Sequence, residues 1–117
     1  MRYLTVLTTC SSKKEARRIA SSVLKARLAA CANIIDSVES RFWWKGRIDC
    51  AKEALLILKT TKGNFAQLER LIKRLHSYEV PEIIALPIIA GSREYLDWIG
   101  YYASVRNSGA SRKKTPL

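Results

Sequence analysis

Two long segments joined by a two-residue turn set the limits on what this chain can fold into. Residues 31–44, CANIIDSVESRFWW, and 48–61, IDCAKEALLILKTT, both lack the 3.6-residue apolar periodicity of a helix and read as strands. Lys45-Gly46 between them reads as a turn, since glycine accepts positive φ. Together they predict a β-hairpin longer than a domain of 117 residues can cover. A hairpin of that length projects beyond its sheet, and its unpaired edges invite another chain.

The remaining segments supply the rest of a sheet and three helices. Residues 2–9, RYLTVLTT, predict a first strand. Ser12 and Glu15 have capping-box spacing: the serine oxygen takes a free amide of the first turn and the glutamate reaches back. The helix that follows places Ala16, Ile19, Ala20, Val23, Leu24 and Leu28 on one face and Arg17, Arg18, Lys25 and Arg27 on the other. Asn64 predicts the start of a second helix, with Gln67 as its reciprocal capping partner and Phe65, Leu68, Leu71, Ile72 and Leu75 as the apolar stripe. Residues 83–89 predict a fourth strand, placed at an edge or bulge by Pro87, which has no N–H to donate. Residues 92–105 predict a third helix carrying Tyr95, Trp98, Ile99 and Tyr102. The order βαβ, βαβ, helix is the ferredoxin-like split βαβ arrangement of the α+β class: a four-stranded antiparallel sheet with helices on one face, a long β2–β3 hairpin and a C-terminal helix. The reading is one domain over residues 1–105 and a basic, disordered tail over residues 106–117, rich in Ser, Gly, Lys and Pro.

Composition narrows the function. With 48% hydrophobic and 26% charged residues the chain is globular, not disordered. The apolar runs at residues 54–58 and 83–90 fall short of the ~20 residues a membrane helix needs, and Met1-Arg2-Tyr3 opens no secretory signal, so the expectation is a soluble cytoplasmic protein. Cys10, Cys31 and Cys50 contain no Cys-x-x-Cys pair, which excludes a finger-type zinc site. Cys31 and Cys50 read as small core residues, and Cys10 as a strand-end thiol, exposed and open to a redox or metal role. The net charge is +11; Arg106, Arg112, Lys113 and Lys114 lie in the tail, which leaves 17 basic against 10 acidic residues, or +7, in the body. Such a body attracts nucleic acid, phosphorylated ligands or anionic membranes, or is simply a solvated surface. Its cations are scattered, and the Lys/Arg-Gly-Phe phrase of RNA-recognition modules is missing, so nucleic acid is not the expected partner, although a basic nucleic-acid-binding module on this fold is the alternative reading. No Ser/His/Asp order, phosphate-binding glycine loop or HExxH helix occurs, so neither an enzyme nor an organic cofactor is expected.

Four phrases stand together in order: residues 28–34 (LAACANI), 43–48 (WWKGRI), 53–60 (EALLILKT) and 76–83 (HSYEVPEI), followed by Tyr95-Leu-Asp-Trp98. They resemble the CutA family of divalent-cation tolerance proteins from about Leu4 to Tyr102. The resemblance implies a ferredoxin-like homotrimer whose extended strands pair across subunits, with a role in tolerance of copper and other divalent metals and no defined catalytic reaction. Some bacterial members carry a copper site made of a first-strand cysteine and a His-His pair. Those positions are Thr8, Leu75 and His76 here, and the proline that usually follows is Ser77. The resemblance therefore implies His76 as a ligand for Cu(II) or another divalent cation, with Glu79 and Glu82 near enough in sequence to add oxygen donors. It also implies Tyr78, Glu79 and Glu82, with Trp44 and Lys59, as the lining of a cleft between protomers. Simpler readings stand beside these. His76 at a helix C-terminus suits the helix dipole. The Tyr78–Glu82 segment suits a turn, Glu82 an ion pair with Lys59, and Trp43 and Trp44, which point to opposite faces of a strand, suit packing.

Overall fold

The computed structural model describes residues 2–105; the predicted disorder of the tail lies outside them. Eight elements follow one another: β1 (Tyr3–Cys10), α1 (Lys13–Lys25), β2 (Cys31–Trp44), β3 (Arg47–Thr61), a 3-10 turn (Lys62–Asn64), α2 (Phe65–Leu75), β4 (Ile84–Ile88) and α3 (Arg93–Tyr102). The strands form one sheet in the order β2-β3-β1-β4, each neighbour antiparallel. This is the ferredoxin-like α+β arrangement. Pro87 sits on β4, an edge strand, where its missing N–H costs no central ladder bond.

Alternation along the strands sorts the side chains into two faces. Val6, Thr8 and Cys10 of β1 and Ala54, Leu56, Leu58 and Thr60 of β3 are fully buried, and in register they sit opposite one another. They meet Ala16, Ile19, Ala20 and Val23 of α1 and Leu68 and Ile72 of α2 to form the core. The other face carries Leu7, Leu55, Ile57, Ile35, Ile84 and Leu86, of which Ile35, Ile84 and Leu86 are about half exposed (48%, 48% and 49%). α3 packs over one end of the sheet, tied to it by Asn64 Nδ2, which donates to the Ala103 carbonyl at 2.7 Å.

The hairpin does project. β1 covers β3 only from Ala54 to Thr61, so residues 47–53 pair with β2 alone. The molecule measures 49 × 27 × 25 Å. Lys45 and Gly46 at the tip have φ of 50° and 79°, the positive values of a tight primed turn. Trp43 is 73% and Trp44 57% exposed there.

Several expectations need correction. Leu24 is exposed, whereas Leu28 is buried but lies past the helix end. Arg27 takes φ 62° and the Leu28 N–H bonds the Val23 carbonyl while the Arg27 N–H bonds that of Leu24, the Schellman pattern that ends α1. Asn64 does not cap α2 with its side chain: its backbone is helical rather than extended, and its Nδ2 is turned to the Ala103 carbonyl. Cys10 is buried and Cys50 exposed, the reverse of their reading: β1 ends inside the helix layer, whereas Cys50 rides on the projecting hairpin. A one-residue irregularity in β2 between Ile35 and Val38, with Ser37 at φ 61°, was not legible as a break.

Candidate metal centre

α1 begins where α2 ends, and this brings three distant residues together. Cys10 is the last residue of β1, Glu15 lies in the first turn of α1, and His76 closes α2. The Cys10 thiol, a Glu15 carboxylate oxygen and a His76 ring nitrogen all lie within 4.8 Å of one another, and all three residues are buried.

Hydrogen bonds fix Glu15 and His76. Ser12 caps α1 by accepting from the Glu15 N–H at 3.1 Å. The Glu15 side chain does not complete a box with Ser12. Its Oε1 accepts instead from the Ser11 N–H at 2.8 Å and the Ser11 hydroxyl at 2.9 Å, and its Oε2 from the Ser77 N–H at 2.7 Å. Burial alone would raise this carboxyl, but the Ser11 and Ser77 donors outweigh it and hold the pKa at about 2, so Glu15 is an anion. Burial pushes the Cys10 thiol up to about 12, helped by the Glu15 and Glu53 charges, so it keeps its proton.

His76 has a fully buried side chain. Its Nε2 donates to the Thr9 carbonyl at 2.8 Å, and its Nδ1 accepts from the Tyr78 N–H at 3.1 Å. This pairing specifies the neutral tautomer with the proton on Nε2. Nδ1, whose electron pair takes the Tyr78 N–H, lies 3.8 Å from Glu15 Oε2 at the edge of the cluster. A carbonyl behind the far ring nitrogen is the usual way a metal-binding imidazole is oriented. Tyr78 packs its ring on His76, centroids 4.8 Å apart, and donates its hydroxyl to Glu53 Oε2 at 2.6 Å. Burial and then the Glu53 hydrogen bond raise the Tyr78 pKa, so it serves as a donor.

The donor set fits a divalent ion of borderline softness: one sulfur, one imidazole nitrogen, one carboxylate. Ion–ligand bonds of about 2.0–2.3 Å need ligand atoms roughly 3.5 Å apart, so Cys10, Glu15 and His76 would have to draw together by about an ångström to hold one ion.

The predicted site residues divide. His76 and Tyr78 lie in this cluster. Glu79 and Glu82 are exposed on the loop beyond it. Trp44 is at the hairpin tip, and Lys59 lies towards the opposite end of β3, where it donates to Asn33 Oδ1 and not to Glu82. Counted along β3 from Ala54, the two sit about 23 Å and about 17 Å away. Glu15 and Glu53 were missed as site residues, and Cys10, read as open to a metal role, was expected exposed but is buried. The signal for Glu15 was Ser77, whose N–H a proline would lack and which Glu15 binds.

Among the described residues no helix is long and apolar enough to cross a membrane. The sequence profile of the CutA1 divalent ion tolerance protein family matches residues 4–101. The divalent-cation tolerance protein CutA of Thermus thermophilus is 48% identical over 94 residues, 80% of this chain and 91% of that protein. The rice chloroplastic protein CutA 1 is 41% identical over 96 residues, 82% of this chain and 54% of its own longer one. Solved structures agree: the Thermus thermophilus protein superposes with a TM-score of 0.82 at 46% identity, covering 84% of this chain and 95% of that one. The periplasmic divalent cation tolerance protein CutA of Archaeoglobus fulgidus gives 0.84 at 41%, covering 87% and 99%. A profile spanning nearly all the described residues, close relatives and a shared fold leave one assignment: the chain belongs to the CutA family of divalent-cation tolerance proteins.

Proposed function

We propose that this chain acts in divalent-metal tolerance by binding one Cu(II), Zn(II) or similar ion per protomer at Cys10, Glu15 and His76. The observation that carries the reading is the buried trio itself, the Cys10 sulfur, an ionised Glu15 carboxylate and a His76 ring nitrogen within 4.8 Å of one another, with Nε2 bonded to Thr9 so that Nδ1 is the nitrogen left to an ion. The ion displaces the Tyr78 N–H from Nδ1 and the proton from the thiol. Its role in this reading is binding and signalling rather than turnover, in keeping with a family described by divalent-ion tolerance.

The functional unit in this reading is a homotrimer. Two features support it: the half-exposed apolar sheet face of Ile35, Ile84 and Leu86, and the hairpin whose outer edges have no strand partner among the described residues. In a trimer, Tyr78, Glu79 and Glu82 of one protomer line a cleft that Trp44 or Lys59 joins only from a neighbour, given their separation within one chain. The cytoplasm is the proposed compartment, supported by three free thiols, Cys10, Cys31 and Cys50.

Calorimetric titration with Zn(II) tests the site. One ion per chain is expected, with binding abolished in His76→Ala. Unchanged stoichiometry and affinity in that variant would overturn the assignment.

A further inference from the structure

The body's excess of positive over negative charge is confined to one layer of the fold. Residues 13–25 and 62–75, which form α1, the 3-10 turn and α2, contain nine basic residues and two acidic ones. One of the two acids, Glu15, is buried. The other described residues contain eight basic and eight acidic residues and sum to zero. A surface charged only for solubility would mix its signs; here the whole excess lies on the helices that cover one face of the sheet.

Local helix chemistry does not explain the placement. Lys73 and Arg74 in the last turn of α2 suit the helix dipole. Lys13 and Lys14 occupy the first two positions of α1, where the dipole disfavours cations. The Arg18 guanidinium donates to the Leu75 carbonyl at 3.2 Å, which brings the two sets together where α1 starts and α2 ends. Lys13, Lys14, Arg17, Arg18, Arg70 and Arg74 are all exposed.

From this we infer that the α1–α2 layer is a docking surface for double-stranded nucleic acid, bound through its phosphates without reading sequence. Lys14, Arg17 or Arg18, and Lys25 form a row along α1, spanning about 16 Å; a duplex presents about ten phosphates over that length. Packed helices run about 10 Å apart, near the ~12 Å major-groove width that separates the two phosphate strands. Leu24, at 37%, is the one large apolar residue exposed on this layer. The layer therefore lacks the aromatics that stack single-stranded bases and the apolar side chains that enter a membrane interface. The inference is independent of the metal site.

The test is fluorescence anisotropy with a labelled random-sequence DNA duplex of about two helical turns, titrated at several salt concentrations. Two variants of equal net charge are compared. One carries Lys13→Glu, Lys14→Glu, Arg17→Glu and Arg74→Glu; the other carries Arg2→Glu, Arg47→Glu, Lys52→Glu and Arg93→Glu on the neutral remainder. The first two changes suit the α1 dipole, and circular dichroism checks that both variants keep their helices. The helix-layer variant is expected to lose about a hundredfold in affinity at low salt, and its log–log salt slope to fall by about three. At about 0.15 M salt the control is expected to stay within about threefold of the parent, because charges more than about 8 Å from the docked phosphates are screened there. Equal losses in both variants, a parent that binds no duplex, or tighter binding to a single strand or to anionic vesicles would each overturn the inference.

Discussion

Glu15 shows how one side chain joins a helix start, a helix end and a candidate ligand set. In the fold it titrates at about 2, against an ordinary 4.5. On acidification the unfolded chain therefore takes up this proton first. The stability Glu15 supplies is complete above its ordinary value and drains away as the pH falls toward 2. Glu15→Gln is expected to lower stability at neutral pH by about 2 kcal/mol and to flatten the acid-unfolding profile over that interval, read by denaturant melts at stepped pH. Thr8 makes the opposite case. Its hydroxyl is the one buried side-chain oxygen or nitrogen without a partner among the described residues. Thr8→Val is expected to stabilise the protein by about 1 kcal/mol and raise its thermal midpoint; a lower midpoint would mean that the hydroxyl has work to do. At this scale the sequence was partly readable. His76 stood out as the lone histidine within a family phrase. Cys10 was open to a metal role, but its burial was not readable, because it depends on where β1 ends beneath the helices, and Glu15 looked like an ordinary cap because its second partner lies 62 residues away.

At the level of elements, local rules located every strand and helix but misplaced their ends where tertiary contacts intervene. The apolar stripe of α1 continued to Leu28 on paper, yet the chain turns out at Arg27 with a positive φ. No glycine marks that turn, so the usual signature was absent. α2 starts where Asn64 placed it, but without the side-chain cap, as the Asn64 amide nitrogen is turned to α3. The hairpin turn was legible from glycine alone, and Gly46 sits at φ +79° with open space around its Cα. Gly46→Ala is thus a test of backbone conformation without a clash. It is expected to cost about 1 kcal/mol, seen as a lower denaturant midpoint at unchanged slope.

For the whole molecule, the projecting hairpin and the half-covered sheet face call for partners that one chain does not supply. Static light scattering on the full chain is expected to return three times the protomer mass at micromolar concentration; a monomer would remove both the trimer and the shared cleft. This scale was legible early, since strand length alone showed that the hairpin exceeds its domain. The segregation of charge was not, since cations scattered along the sequence gather only once α1 and α2 lie side by side. The central claim is that Cys10, Glu15 and His76 bind one ion. Cobalt(II) tests it most directly, because a bound thiolate gives a charge-transfer band in the near ultraviolet that oxygen and nitrogen ligands do not. The account predicts this band at one cobalt per chain, strengthening as pH rises and the Cys10 thiol gives up its proton, and missing from Cys10→Ala and His76→Ala. A cobalt spectrum without the band, or one unchanged in Cys10→Ala, would contradict it.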